Sequence, residues 1–245
     1  MYNKRARRDG KEDMYLLYPE VCIGCGTVLS YRDRKKGICP SCRKKIHFVS
    51  KVTCKICGKE VMTPLMNVCK DCIKSDHSFL EGKSLFVYQG PMKMAMYRFK
   101  YSNARYMARF FARVAWEKHK DWLGQNGVQA IVSVPMFLPK KRQRGYNQAE
   151  VFGKALGRAS GIPYLSDLVV REKNTVPQKG LTKEKRKENL KNAFKIKGYG
   201  VKLNCVLIVD DIYTTGTTMD AVAEVLKEYG IERILCLTIC IGVDA

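Results

Sequence analysis

Val206-Leu-Ile-Val-Asp-Asp-Ile-Tyr-Thr-Thr-Gly-Thr-Thr218 decides how the C-terminal half of this chain is read. Cys205–Val209 is an apolar run of the kind that forms a strand buried on both faces, as in a parallel sheet covered by helices. Two acids, Asp210 and Asp211, follow at its C-terminal end, where open α/β sheets place ligands. Thr214, Thr215, Thr217 and Thr218 then surround Gly216 and open a helix. Backbone N–H groups at such a helix start, with hydroxyls beside them, make an anion nest suited to a 5′-phosphate. The two acids are placed to accept hydrogen bonds from ribose 2′- and 3′-hydroxyls, directly or through Mg2+. An ordinary helix cap would also use Thr or Asp. A cap, however, needs one hydroxyl, and adjacent carboxylates at a buried strand end are costly without a counter-cation or ligand.

Outward from this loop the pattern alternates. Thr217–Tyr229 reads as a helix closed by Gly230, and Ile234–Ile241 as a last buried strand. Upstream, Leu85–Tyr88, Ala130–Val134, Asp167–Val170 and Ala193–Ile196 read as strands, with helices over Met92–Phe99, Tyr106–Trp122 and Tyr146–Ser160. Strands alternating with helices predict a mostly parallel sheet with helices on its faces. Asn174–Asn189 is polar and aperiodic and reads as a long excursion, a feature that in compact domains is usually functional or disordered.

Before Ser78 the composition changes. Eight of the eleven cysteines fall in four Cys-x-x-Cys pairs: Cys22/Cys25, Cys39/Cys42, Cys54/Cys57 and Cys69/Cys72. Four thiolates complete a closed tetrahedral zinc shell. A disulfide scaffold is disfavoured because the basic segment Met1–Lys11 is followed by no apolar stretch of the secretory kind. A thioredoxin-like centre needs one pair, not four. Consecutive pairing puts Cys22, Cys25, Cys39 and Cys42 on one ion and the other four on a second; the spacing also allows a crossed arrangement. Two such ribbons fold without a sizeable apolar core, since metal binding supplies folding free energy. Gly24, Gly26 and Gly58 sit where the knuckle turns need conformational freedom. Cys205, Cys236 and Cys240 read as core residues. The domains are expected as residues 1–78, a basic segment with a double zinc ribbon, and residues 79–245.

The chain has 245 residues, 46% of them hydrophobic, which is enough for a real core. No run is long and apolar enough to span a bilayer, so the expected location is cytoplasmic. The formal net charge is +22, a surplus that attracts polyanions. Basic clusters recur at Lys4–Arg8, Arg32–Lys36, Arg43–Lys45, Lys140–Arg144 and Lys183–Lys187, which favours polyanion binding without choosing between DNA, RNA and an anionic membrane. Tyr97, Phe99, Tyr101, Tyr106, Phe110 and Phe111 interleave with cations. Such a mixture can clamp single-stranded bases, but at helical spacing core packing explains most of these aromatics better.

The loop resembles the PRPP (5-phosphoribosyl-1-pyrophosphate) motif of the phosphoribosyltransferases: apolar strand, two acids, then Thr-Thr-Gly-Thr-Thr. That resemblance implies a type I phosphoribosyltransferase-like parallel sheet flanked by helices, with a short hood, and PRPP with Mg2+ as ligands. Two further stretches narrow it. One is Val134-Pro135 with Arg144-Gly-Tyr-Asn-Gln-Ala-Glu150. The other runs from Arg171 through Thr175, Gln178, Leu181 and Arg186 to Asn189-Leu190, with Ala193-Phe194. Together with the N-terminal ribbons and Lys100-Tyr101, these are similar to the ComF family of natural competence.

This resemblance implies a protein that binds single-stranded DNA during uptake, beside an ATP-driven competence DNA translocase or helicase. It implies a site made of Asp210, Asp211, Thr214, Thr215, Gly216, Thr217 and Thr218, with Val134 and Pro135 in the pyrophosphate loop and Arg144, Arg171 and Arg186 as cations. The Lys140–Arg144 run also reads as a solvated basic turn, and Arg186 as a helix-surface charge. Asn147 and Gln148 are expected to fix the loop rather than do chemistry. The alternative function is an active Mg2+-dependent phosphoribosyltransferase of unknown acceptor.

Overall fold

The computed structural model describes residues 19–172, 190, 193–197, 200 and 202–242. Its centre is a four-stranded, all-parallel sheet in the order β1-β6-β5-β2, formed by β1 (Glu81–Val87), β2 (Ala130–Ser133), β5 (Cys205–Tyr213) and β6 (Arg233–Ile241). Successive side chains of a strand point to opposite faces, and β5 divides accordingly. Leu207 and Val209 pack with Phe111 and Phe152 on one face, while Val206 and Ile208 pack with Val222 and Leu226 on the other. Both faces are covered, which is why β5 and β6 read as nearly continuous apolar runs. Inside that sheet the hydroxyls of Ser84 and Thr238 satisfy one another at 2.7 Å, across the β1–β6 pair.

The first face is covered by α4 (Pro91–Tyr101), α5 (Met107–Gln125) and α7 (Gln148–Ser160). Met92, Ala95, Met96 and Phe99 recur at helical spacing and all are buried. Pro91 opens α4 at its first position, where a missing N–H costs nothing. Asn147 caps α7 by accepting the Ala149 N–H, so the helix starts two residues later than Tyr146. The other face is covered by α8 (Thr217–Glu228).

Three differences from the sequence reading are physical. First, β3 (Val169–Arg171) and β4 (Phe194–Ile196) leave the parallel sheet and pair antiparallel with each other as a separate ribbon against α8. Their alternation in sequence could not show which partner they take. Second, β5 runs on through both acids, because β6 continues to pair with it as far as Tyr213 opposite Ile241. Third, the basic run Lys140–Arg144 lies on a short helix, α6 (Leu138–Arg144), started by a proline in its first turn and stopped by Gly145 at φ 85°. The excursion over residues 174–189, with Arg186, lies outside the described residues.

The N-terminal module is built of two knuckle pairs with short helices α1 (Tyr31–Arg34), α2 (Pro40–Lys45) and α3 (Lys70–Ile73). It is seated on the sheet domain. Arg98 on α4 donates to the Cys22 and Ile23 carbonyls, and Arg113 on α5 donates to the Lys35 and Lys36 carbonyls. Val49 N–H donates to Leu85 O at 3.0 Å, and Val87 N–H to His47 O at 2.9 Å. Gly58, at φ +76°, lies so close to β1 that a Cβ there would come 2.7 Å from Gly82 O. Gly24 differs from the expected conformational role. Its φ is not positive, and what it provides is room, since a Cβ would meet Cys42 Sγ at 2.8 Å.

Candidate functional site

The C-terminal ends of β2 and β5 open at one end of the sheet. β5 delivers Asp210 and Asp211 there, and Asp211 N–H donates to Asp210 Oδ1 at 2.8 Å. Gly216, at φ +80°, turns the chain into α8 without a side-chain cap of its own. Thr217 is buried beside it, and the Thr215 and Thr217 hydroxyls are 2.9 Å apart. The first turn of α8 therefore points its N–H groups toward the loop, the arrangement that takes an anion.

Beside β5, Val134 N–H donates to Val209 O at 3.0 Å, and Asn147 Nδ2 donates to Val134 O at 2.9 Å. Val134 is thus held on both sides, by the Val209 carbonyl on one and by Asn147 on the other. Gln148 Nε2 donates to Phe99 O at 3.2 Å, and the Tyr146 hydroxyl donates to the same carbonyl, fixing the end of α4. That end carries Lys100, whose Nζ lies 3.0 Å from Asp211 Oδ2. Arg144 donates to Gln148 Oε1 at 3.0 Å and lies over the exposed Tyr101 ring at 5.1 Å. Arg171 lies over the Phe194 ring at 5.5 Å, near enough for its charge to act on Asp210.

The electrostatics follow from this crowding. Burial pushes Asp210 up to about 8, and the neighbouring Asp211 charge adds to the rise; Lys100 and Arg171 only partly offset it. Burial works against the charge of Lys100, yet the Asp211 carboxylate prevails and its pKa is raised. Burial, then the charges of Arg144, Arg171 and Lys100, lowers Lys140. Two carboxylates that cannot both ionise comfortably, ringed by cations, are a fitting donor pair for a divalent metal and hydroxyl ligands.

The structure thus brings together Asp210, Asp211, the Thr214–Thr218 loop, Val134, Pro135, Arg144 and Arg171. In the sequence Lys100 stands out as one of the cations interleaved with the aromatics and as part of a resemblance; nothing in its helical context marks it as the partner of an acid over a hundred residues later.

The aromatics divide. Phe99 and Phe111 are fully buried, whereas Tyr97, Tyr101 and Tyr106 are exposed. Tyr97 and Tyr101 pack side by side with ring centroids 5.1 Å apart and their planes tilted by 48°. Cys205, Cys236 and Cys240 are core residues, as expected.

The eight paired cysteines form two clusters by consecutive pairing. One is Cys22, Cys25, Cys39 and Cys42; the other is Cys54, Cys57, Cys69 and Cys72; the sulfurs lie within 4.8 Å of one another. A tetrahedron of sulfurs about 2.3 Å from zinc has edges of about 3.8 Å. Cys25 and Cys39 sulfurs are 3.8 Å apart, and those of Cys57 and Cys69 are 3.7 Å apart. Backbone N–H groups of Cys39, Cys42 and Lys59 point at the Cys22, Cys39 and Cys57 sulfurs, the bonds a thiolate shell needs. Both clusters fit structural zinc and leave no ligand position open.

Comparison with known proteins bears on both halves. The family model described as a double zinc ribbon domain matches residues 14–73, and that described as a phosphoribosyl transferase domain matches residues 155–244. The chain is 33% identical over 221 residues to competence protein F of Haemophilus influenzae, covering 87% of this chain and 93% of that one. The chain belongs to the ComF family. Other ComF-family relatives include the DNA utilization protein YhgH of Salmonella typhimurium, 28% identical with 92% and 98% of the two chains covered. Competence protein ComFC of Bacillus subtilis is 27% identical with 79% of each covered. Among solved structures, an adenine phosphoribosyltransferase aligns at a TM-score of 0.39 and 16% identity over 62% of this chain and 75% of its own. The ComF assignment rests on the sequence relatives, and the fold on the family models and the parallel topology. Among the described residues no helix is long and apolar enough to cross a membrane.

Proposed function

We propose that this ComF-family protein handles single-stranded DNA in competence-type uptake and binds a phosphorylated ribose, PRPP or a related nucleotide, at the Thr214–Thr218 loop. The observation that carries the reading is the convergence of Asp210, Asp211, Lys100, Arg144 and Arg171 beside that loop. A 5′-phosphate sits on the N–H groups at the start of α8. Asp210 and Asp211 hold ribose hydroxyls and Mg2+, which supplies charge to the phosphates. The Val134–Pro135 backbone and Arg144 take the pyrophosphate end, with Arg171 as a further cation beside it. The exposed Tyr97 and Tyr101, flanked by Arg144, offer bases aromatic faces next to this pocket. The names of the relatives, competence protein and DNA utilization protein, support DNA as the larger partner. In this reading the protein is cytoplasmic and its partner protein is an ATP-driven DNA translocase of competence. The zinc ribbons, bounded near Ser78, serve as a structural platform.

The test is fluorescence anisotropy of a labelled single strand and the matching duplex, titrated across a salt series, with a chelator-treated sample alongside. A chain of charge +22 binds any polyanion at low salt, so affinity at physiological salt decides. Single-strand preference there supports the reading; equal, salt-erased binding to both removes it.

A second reading is an active phosphoribosyltransferase, favoured by the intact acid pair and threonine loop. A nucleophile would attack C1 of PRPP, breaking the bond to pyrophosphate, with catalysis by positioning and charge stabilisation. Pyrophosphate release that vanishes in an Asp210→Asn, Asp211→Asn variant is its signature.

A further inference from the structure

His77 stands between the second cysteine cluster and the phosphate loop. Its side chain is 4% exposed. Nε2 lies 3.5 Å from Cys72 Sγ. Nδ1 lies 3.0 and 3.1 Å from the two oxygens of Asp220, in the first turn of α8. Asp220 Oδ1 also accepts the Ser78 N–H at 2.9 Å, and Asp220 N–H donates to Gly216 O at 2.9 Å. The imidazole ring packs against Phe79 with centroids 4.8 Å apart and the planes tilted by 33°. Its Cε1 edge presses on Gly216 so closely that a Cβ there would stand 2.8 Å away, with the Tyr213 hydroxyl against the same point.

The start of α8 has no side-chain cap at Gly216. The His77–Asp220 contact ties it to the N-terminal module, and the far end of that contact is a cysteine of the metal cluster. A zinc-bound cysteine is a thiolate with a fixed position, and groups that hydrogen-bond to metal ligands orient them and are oriented in return. With all four cysteines already supplying the shell, His77 is not needed as a ligand. Its Nδ1 faces the Asp220 carboxylate, and its Nε2 faces the Cys72 sulfur.

We propose that His77 is a positioning residue that couples occupancy of the Cys54, Cys57, Cys69, Cys72 cluster to the Gly216 turn. A phosphate-bearing ligand then binds the loop more tightly when that cluster holds zinc. By linkage the reverse also holds: ligand on the loop raises that cluster's affinity for zinc. The inference rests on the loop being a phosphate site.

The experiment uses the full zinc-loaded chain, PRPP with Mg2+ as the probe, and two readouts. PRPP affinity is measured by calorimetry, and zinc release to a competing chromogenic chelator is measured at equilibrium with and without saturating PRPP. In the wild type, PRPP is expected to tighten one zinc by about tenfold, inside the roughly 5- to 150-fold range of ordinary coupling, and to leave the other unchanged. His77→Ala, with two zincs bound, is expected to lose about tenfold in PRPP affinity and the effect of PRPP on zinc release; Asp220→Asn should do the same. The wild-type release experiment needs no variant, so a His77→Ala chain that fails to fold does not shelter the idea. Tight PRPP binding that alters neither zinc, or both equally, overturns the coupling while leaving the phosphate site standing. So does a two-zinc His77→Ala protein that binds PRPP like the wild type. A wild type that binds no PRPP overturns the phosphate site and the coupling with it.

Discussion

Lys100 Nζ lies 3.0 Å from Asp211 Oδ2, so the last turn of α4 delivers a cation to the acid pair at the end of β5. Both side chains are largely shielded, at 22% and 16% exposure. Removing one partner of such a pair leaves the other charge poorly solvated, at a cost between the exposed and buried limits, about 2 kcal/mol. Lys100→Met should lower the melting temperature by roughly 4–8 °C in a chain of this size. It should also weaken PRPP by about tenfold or more, since Asp211 then repels the phosphates unopposed. Calorimetry and a thermal melt together check this; a variant unchanged in both would show the pair to be idle.

Asp210 makes a pH prediction of its own. Burial, then the charge of Asp211, moves it from 3.8 to about 8. Between those values the unfolded chain has released this proton and the folded chain retains it. The contribution is therefore full below about 4 and is lost as pH rises toward 8. Asp210→Asn should melt at a higher temperature than the parent near pH 8, with the advantage shrinking toward pH 4. Added Mg2+ and PRPP should stabilise the parent and not the variant. A melting difference independent of pH would contradict the burial assigned to this carboxylate.

Gly58 tests how the second ribbon is seated. A Cβ there would stand 2.7 Å from Gly82 O and 2.9 Å from Lys83 Cα, both backbone, and the position has φ +76°. Gly161 shares that φ but has nothing within 4 Å of its Cβ position. Gly161→Ala therefore measures the conformational strain alone, about 1–2 kcal/mol. Gly58→Ala should cost a further ~1–3 kcal/mol for the clash. It should also speed amide exchange at Val49 and Val87, whose N–H groups bridge the module and β1. Equal losses in the two variants would mean that β1 yields to the extra methyl group.

The central sheet was legible because β5 and β6 are buried on both faces and say so in unbroken apolar runs. The metal clusters were legible because ligand spacing within a knuckle is local. What sequence could not show is long-range partnership. Val169–Arg171 and Phe194–Ile196 look like any short strand, and only the fold shows that they pair with each other. Lys100 and His77 are single residues whose meaning depends on Asp211 and Asp220. The helix over Leu138–Arg144 was hidden by its charge: with no buried residue on it, it has no apolar period to read.

His119 offers the last prediction, in the acid range. It lies on the inner side of α5 at 8% exposure, against Trp122, and its Nε2 is buried with no hydrogen-bond partner. Burial first, then the nearby Lys118 and Lys83 charges, lowers it from 6.5 to about 4. Here the sign is opposite to that of Asp210. Between about 4 and 6.5 the unfolded chain takes up a proton that the folded chain refuses, so stability is present above 6.5 and falls as pH drops toward 4. His119→Phe keeps a ring in the site and removes the titration, although it forfeits the bond to the Ser84 backbone. The comparison is therefore one of slopes, since that lost bond shifts the variant by the same amount at every pH. Carboxylates that titrate in the same range do so in both proteins and cancel. Denaturant midpoints measured from pH 7 to pH 4 should decline less steeply in the variant; parallel declines would mean that water reaches the imidazole and lets it charge in place.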